Sequence, residues 1–398
     1  MTLANGRQYL AIPGPSVVPD RVLQAMHRAA PNIYDLELAE MVEGLVPDLK
    51  AIARTKHQAA MYIANGHGIW EAAISNTLNA GDEVLVIATG RFAFGWALMA
   101  ERMGIKVHIL DFGKSSPLDA DTVAEFLAAD TGHKIRAVLA VHTDTATSVQ
   151  NDIPELRQLM DAVGHPALLM VDCMASLGCD RFEMDEWGAD LAVAGCQKGL
   201  MTPPGMAFIF FNEKADEWRE RCVRTSHYWD WRPRVEPKIF SEYFDGTAPT
   251  HHLYGLREAL DMMKEEGIDN VWARHETIAR TYWAALNAWA QEGPVAMNVA
   301  EPRFRSHAVT SVHIGAQNGT RLREWLEKEA GVTLGIGLGM AEPEDPAWHG
   351  YLRIGHMGHV NAHMALGVVG AIEAGLTALD IPHGSGAVEA AARVCAGR

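Results

Sequence analysis

Alternation of short apolar runs with longer amphipathic stretches is the feature that most constrains this chain. Seven runs of strand length recur, at 59–64, 83–88, 107–111, 137–141, 167–172, 191–196 and 207–211. Helix-like stretches lie between them near 68–78, 92–103, 119–128 and 153–163. A strand apolar at consecutive positions must be covered on both faces, and interposed helices supply that cover. The pattern therefore predicts an α/β domain on a mostly parallel seven-stranded sheet. The segment 197–206 between the last two runs is too short for a helical crossover, so those two strands are expected to run antiparallel.

After residue 211 the pattern changes. Residues 222–250 are rich in aromatics and charge, with the run His227-Tyr228-Trp229-Asp230-Trp231, and read as an irregular segment draped over the domain. That run is expected to pack or to meet another subunit, not to stack on bases. Long helices are expected at 249–266 and 271–292, followed by a strand at 307–314, a helix at 321–330, a strand at 351–354 and a helix at 362–378. A boundary near Gly267 then divides the chain into a large domain, 1–266, and a smaller C-terminal α+β domain, 267–398. The 398 residues suit two domains. The last stretch, 385–398, reads as a short Ala-rich helix with a frayed end.

Asp and Glu number 50 against 34 Lys and Arg, a net charge of −16. This disfavours nucleic acid as a partner, though a local basic pocket for a small anion stays open. No apolar run has membrane-spanning length, and the opening residues lack a basic-then-apolar leader pattern, so a cytoplasmic protein is expected. Cys173, Cys179, Cys196, Cys222 and Cys395 match neither a disulfide framework nor a zinc site and read as small buried hydrophobes. His251-His252 has no acidic partner at metal-ligand spacing, so no metal is expected.

Two stretches carry chemistry. Asp172 ends one apolar run and Lys198 lies just past the next. Ligands gather at the carboxyl ends of parallel strands, so a carboxylate and an amine converge there. Pyridoxal phosphate (PLP) needs that pair: an amine to hold its aldehyde as an imine, and a carboxylate beside its pyridinium nitrogen. A strand-end cap with a surface lysine, or a simple ion pair, is the plainer alternative. The second stretch, Asn65-Gly66-His67-Gly68, follows a strand and opens a helix, where backbone N–H groups suit a phosphate. A turn alone would look the same. Gly335-Ile336-Gly337-Leu338-Gly339 leads into an acidic loop and is read as a loop.

These segments resemble the class V branch of fold-type I PLP enzymes, and within it the alanine/serine–glyoxylate aminotransferases. The likeness runs from Ile12-Pro13-Gly14-Pro15 to Leu352-Arg353-Ile354-Gly355. It is most specific at Val171-Asp172, Ala175-Ser176-Leu177-Gly178, Gln197-Lys198 and Pro203-Pro204-Gly205. The resemblance implies a fold-type I transferase moving an amino group from serine or alanine to glyoxylate by a ping-pong route. Lys198 becomes the imine lysine and proton shuttle, and Asp172 the partner of the ring nitrogen. Gly66, His67 and Gln197 become phosphate contacts, Phe92 the aromatic on the ring, and Thr145 a hydroxyl beside it. Thr247 becomes a phosphate contact from a neighbouring subunit, hence a homodimer or homotetramer, and Arg353 the clamp on the substrate carboxylate.

Phe244, with Tyr243 beside it, stands where a phosphate-binding Tyr is common. Asn32-Ile33-Tyr34-Asp35 replaces a His-Arg pair. Tyr34-Asp35 and Arg353-Ile354-Gly355-His356-Met357-Gly358 resemble the pyridoxamine–pyruvate aminotransferases, whose second Arg is replaced near Leu338. That activity is the runner-up. A cysteine desulfurase would need a mobile catalytic Cys, and a non-catalytic binding protein is the rival of another class.

Overall fold

The computed structural model describes residues 2–398. Strand β1 (Tyr9–Ala11) stands apart from the seven that follow: β2 (Gln58–Ala64), β3 (Glu83–Ala88), β4 (Lys106–Asp111), β5 (Ile135–Val141), β6 (Leu168–Asp172), β7 (Leu191–Gly195) and β8 (Gly205–Phe211). Those seven form one sheet in the order β2-β8-β7-β6-β5-β3-β4. All neighbours are parallel except β8, which runs antiparallel to β7 and β2. The chain is thus fold-type I in architecture, with the short link before β8 reversing direction as expected.

Successive residues of a strand face opposite sides, and both sides are covered here. In β5, Val138 and Ala140 enter one core while Ala137, Leu139 and Val141 enter the other. Every residue of β6 and β7 is buried. The order reverses at β3, where the chain leaves for β4 on one side and returns to β5 on the other. That reversal opens a crevice at the carboxyl ends of β3 and β5.

A second sheet has the order β1-β11-β12-β10-β9, with β9 (Ala296–Met297), β10 (Val309–His313), β11 (Val332–Ile336) and β12 (Tyr351–Gly355). Its partner across the chain is β1, parallel to β11, with Tyr9 opposite Val332. The helices Thr250–Glu266 and Ile268–Trp289 meet at Gly267 (φ 83°).

Several expectations change. The run Gly335 to Gly339 is partly strand, since Gly335 and Ile336 pair with Arg353 and Leu352. Its glycines serve close packing: a Cβ on Gly335 would lie 2.6 Å from Pro13. The C-terminal stretch holds the expected Ala-rich helix, Ala387–Cys395, but it is docked, with Ala387 and Ala391 buried in the core of the second sheet. Helices Asp20–Met26 and Leu36–Ile52 were not anticipated. The aromatic run packs within the chain: Trp231 is buried and stacks on Phe211 at 4.1 Å. Buried Arg234 anchors it by donating to the carbonyls of Met61, Tyr228 and Tyr243.

Candidate active site

Lys198 follows β7 in a turn held from the N-terminal side. Ser16 N–H donates to Gln197 O at 2.9 Å and Ser16 Oγ to Lys198 O at 2.8 Å. The Lys198 ammonium donates to Pro13 O. Its side chain fills the space that a Cβ on Gly14 would need, with Lys198 Cδ 2.6 Å from that position. Gly14 also has φ +96°, a backbone that suits glycine. Burial first, and then the Arg353 charge, push the Lys198 amine down to about 8, while Asp172 acts the other way.

Asp172 ends β6 and is almost fully buried. Its Oδ1 accepts Met174 N–H at 2.6 Å and its Oδ2 accepts Trp70 Nε1–H at 2.8 Å. Desolvation outweighs these donors and raises the carboxyl to about 6, with the Asp144 charge adding to the rise. Trp70 stacks on Trp96 and meets Phe92 edge-on at 6.4 Å. Sequence reasoning missed Trp70. Its only signal was a large aromatic one turn into the Gly-rich helix, and such a residue usually reads as core.

The helix Gly66–Thr77 starts on Asn65, whose Oδ1 accepts from His67 N–H (3.1 Å) and Gly68 N–H (3.2 Å). The His67 amide is therefore engaged within the chain. Gly66, at the first helical position, has no carbonyl below it to bond. Gln197 Oε1 is buried without a hydrogen-bond partner.

Seven of the predicted residues, Gly66, His67, Phe92, Thr145, Asp172, Gln197 and Lys198, line one cavity of about 220 Å³. Asn65, Trp70 and Thr143 join them. Arg353 stands behind Thr145, donating from Nη1 to Thr145 O at 2.8 Å and from Nε to Ile336 O at 2.6 Å. Burial lowers its guanidinium to about 10, with Asp144 opposing. Thr247 lies on an exposed turn and does not line this cavity.

Other candidates have structural partners. His356 is buried, bonds His307 O and Thr310 Oγ1, and stacks on Tyr282 at 5.3 Å. His251 and His252 meet the carbonyls of Arg28 and Pro204. Phe244 is buried and Leu338 half-buried.

The cavity suits an aromatic aldehyde bearing a phosphate. It brings together an amine near its neutral form, a buried carboxylate with both oxygens oriented, an aromatic wall and a helix start beside an uncommitted amide.

A family model for class V aminotransferases matches residues 8–362. The serine–glyoxylate aminotransferase of Methylorubrum extorquens is 35% identical over 98% of this chain and 96% of its own length. The L-aspartate–glyoxylate aminotransferase of Paracoccus denitrificans is also 35% identical, over 96% of this chain and 94% of its own. The solved ureidoglycine–glyoxylate aminotransferase of Bacillus subtilis superposes with a TM-score of 0.87 at 25% identity, covering 98% of this chain and 99% of that one.

Proposed function

The chain belongs to the class V aminotransferases, PLP enzymes, and on that premise we propose that it transfers an amino group from serine or alanine to glyoxylate. The observation that carries this reading is the meeting of Lys198 and Asp172 in one cavity, with the amine displaced downward and the carboxyl upward. When bound, the cofactor supplies an aldehyde for amine exchange and a protonated ring that withdraws electrons from the substrate α-carbon.

In this reading Asp172 holds the proton on the ring nitrogen. Its two donors leave the carboxylate fixed in direction. Lys198 would hold the cofactor's aldehyde carbon, and its amine would move the proton between the substrate α-carbon and the C4′ atom. An amine brought down to about 8 has a useful neutral fraction near pH 7 to 8. Arg353 receives the α-carboxylate of donor and acceptor in turn. Phe92 and Thr145 flank the ring, while Gly66, His67 and Gln197 face the phosphate. Donor and acceptor share the clamp, which is what a ping-pong sequence requires.

Thr247 in this scheme reaches the phosphate of a neighbouring subunit, giving a homodimer or a homotetramer built from it. Its exposure outside its own cavity supports that, as do exposed Tyr34 and Leu36. Five unpaired cysteines fit a reducing, cytoplasmic setting. Division at Gly267 into a large cofactor domain and a smaller C-terminal domain, with β1 crossing into the second sheet, completes the scheme.

The Paracoccus relative favours a second reading, with aspartate as donor. A distal carboxylate needs a cation, and the charge of Arg91 is felt at Arg353. Initial rates across serine, alanine, aspartate, glutamate and pyridoxamine, with glyoxylate and pyruvate as acceptors, decide the matter. Serine or alanine with glyoxylate should give the highest kcat/KM. Preference for aspartate would install the second reading, and preference for pyridoxamine with pyruvate would overturn both.

A further inference from the structure

Asp144 lies outside the roles above, yet it is a fully buried carboxylate beside the cavity. Its Oδ2 accepts Phe92 N–H at 2.8 Å, and its Oδ1 accepts Ala146 N–H at 2.8 Å and, more weakly, Thr147 N–H at 3.4 Å. One carboxylate thus binds the start of the helix Arg91–Arg102 and closes the turn after β5. The helix's own capping position is Gly90, which has no side chain to do this. Gly90 adopts ordinary extended backbone (φ 169°). Its lack of a side chain is a matter of space: a Cβ there would stand 2.5 Å from Asp144 Oδ2.

The closed turn carries Thr145, whose carbonyl takes the Arg353 Nη1 donor. Asp144 is also the opposing charge felt at buried Arg353. We propose that Asp144 is a positioning residue that sets the ring-stacking Phe92 and the carboxylate clamp Arg353 in fixed register. This deepens, and rests on, the roles read above for Phe92 and Arg353. Substrate carboxylate would then meet an Arg already oriented, which lowers the ordering cost of binding.

Asp144→Asn keeps the shape but can accept at only one terminal atom. Its Nδ2 must face either Phe92 N–H or the Ala146 turn, donor against donor. Gly90→Ala keeps the charge and pushes the carboxylate off Phe92. Both holoenzymes should show KM for donor and for glyoxylate raised about tenfold, with kcat changed less. The visible circular dichroism of bound PLP should change, and cofactor affinity should fall. Should Asp144→Asn fail to accumulate, Gly90→Ala decides alone. A lowered melting temperature with KM and dichroism unchanged would make Asp144 merely structural and overturn the proposal. Arg353→Lys is measured alongside. If it raises KM while the two variants do not, only this inference fails. If it too leaves KM unchanged, the reading of Arg353 as clamp fails.

Discussion

At Lys198 and Asp172 the fold works against the ordinary acidity of both groups, and the sign of each shift gives a pH prediction. The amine must be neutral to capture an aldehyde, so capture of PLP by the cofactor-free protein should rise with pH through about 8. Asp172 must be ionised to hold a ring proton, so capture should weaken below about 6. Stopped-flow absorbance over that range reads both limbs. Trp70→Phe removes a donor that lowers the Asp172 pKa, so the acid limb should move upward by roughly half to one unit. An unmoved limb would show the indole contact to be packing alone. Lys198→Ala should abolish turnover in a folded protein, and borohydride treatment of the unmodified holoenzyme should fix PLP to Lys198. Asp172→Asn should still bind PLP, though more weakly, and lose at least about a hundredfold in kcat, because an amide cannot hold the ring proton.

Among the elements, all seven strands of the large sheet were legible, its edge strands β2 and β4 included, and the shortest strands of the second sheet were not. Strands β6 and β7 are wholly buried, so their apolar runs were unbroken in the sequence. Strands β1 and β9 have three and two residues, too few for any periodicity. Leu36–Ile52 did carry a signal, with Leu38, Val42, Leu45 and Leu49 buried at helical spacing, but Pro47 interrupts it. The ends of β6 and β7 singled out Asp172 and Lys198 from local pattern, and the family resemblance supplied their roles. Trp70 and Asp144 act through contacts with residues far away in the chain, and no local pattern marks those. The cap of Gly66–Thr77 belongs to this scale too. Asn65→Ala should cost about 1 kcal/mol in urea denaturation of the cofactor-free protein, and a neutral result would mean that water or phosphate caps the helix equally well.

For the whole molecule, light scattering at assay concentration should give a dimer or larger. Thr247→Val should weaken PLP retention although Thr247 does not line its own chain's cavity. An active monomer would contradict this. The pairing of β1 with β11 has a consequence for how the protein is made. Strand β1 leaves the ribosome more than three hundred residues before its hydrogen-bonding partner β11. Until then Tyr9–Ala11 is an open edge, and the loop just after it, whose Pro13 carbonyl receives Lys198, has no fixed upstream anchor. Final assembly of the lysine's surroundings is therefore a late event. Cutting the gene at Gly267 should yield two halves that each lack an edge the other contains.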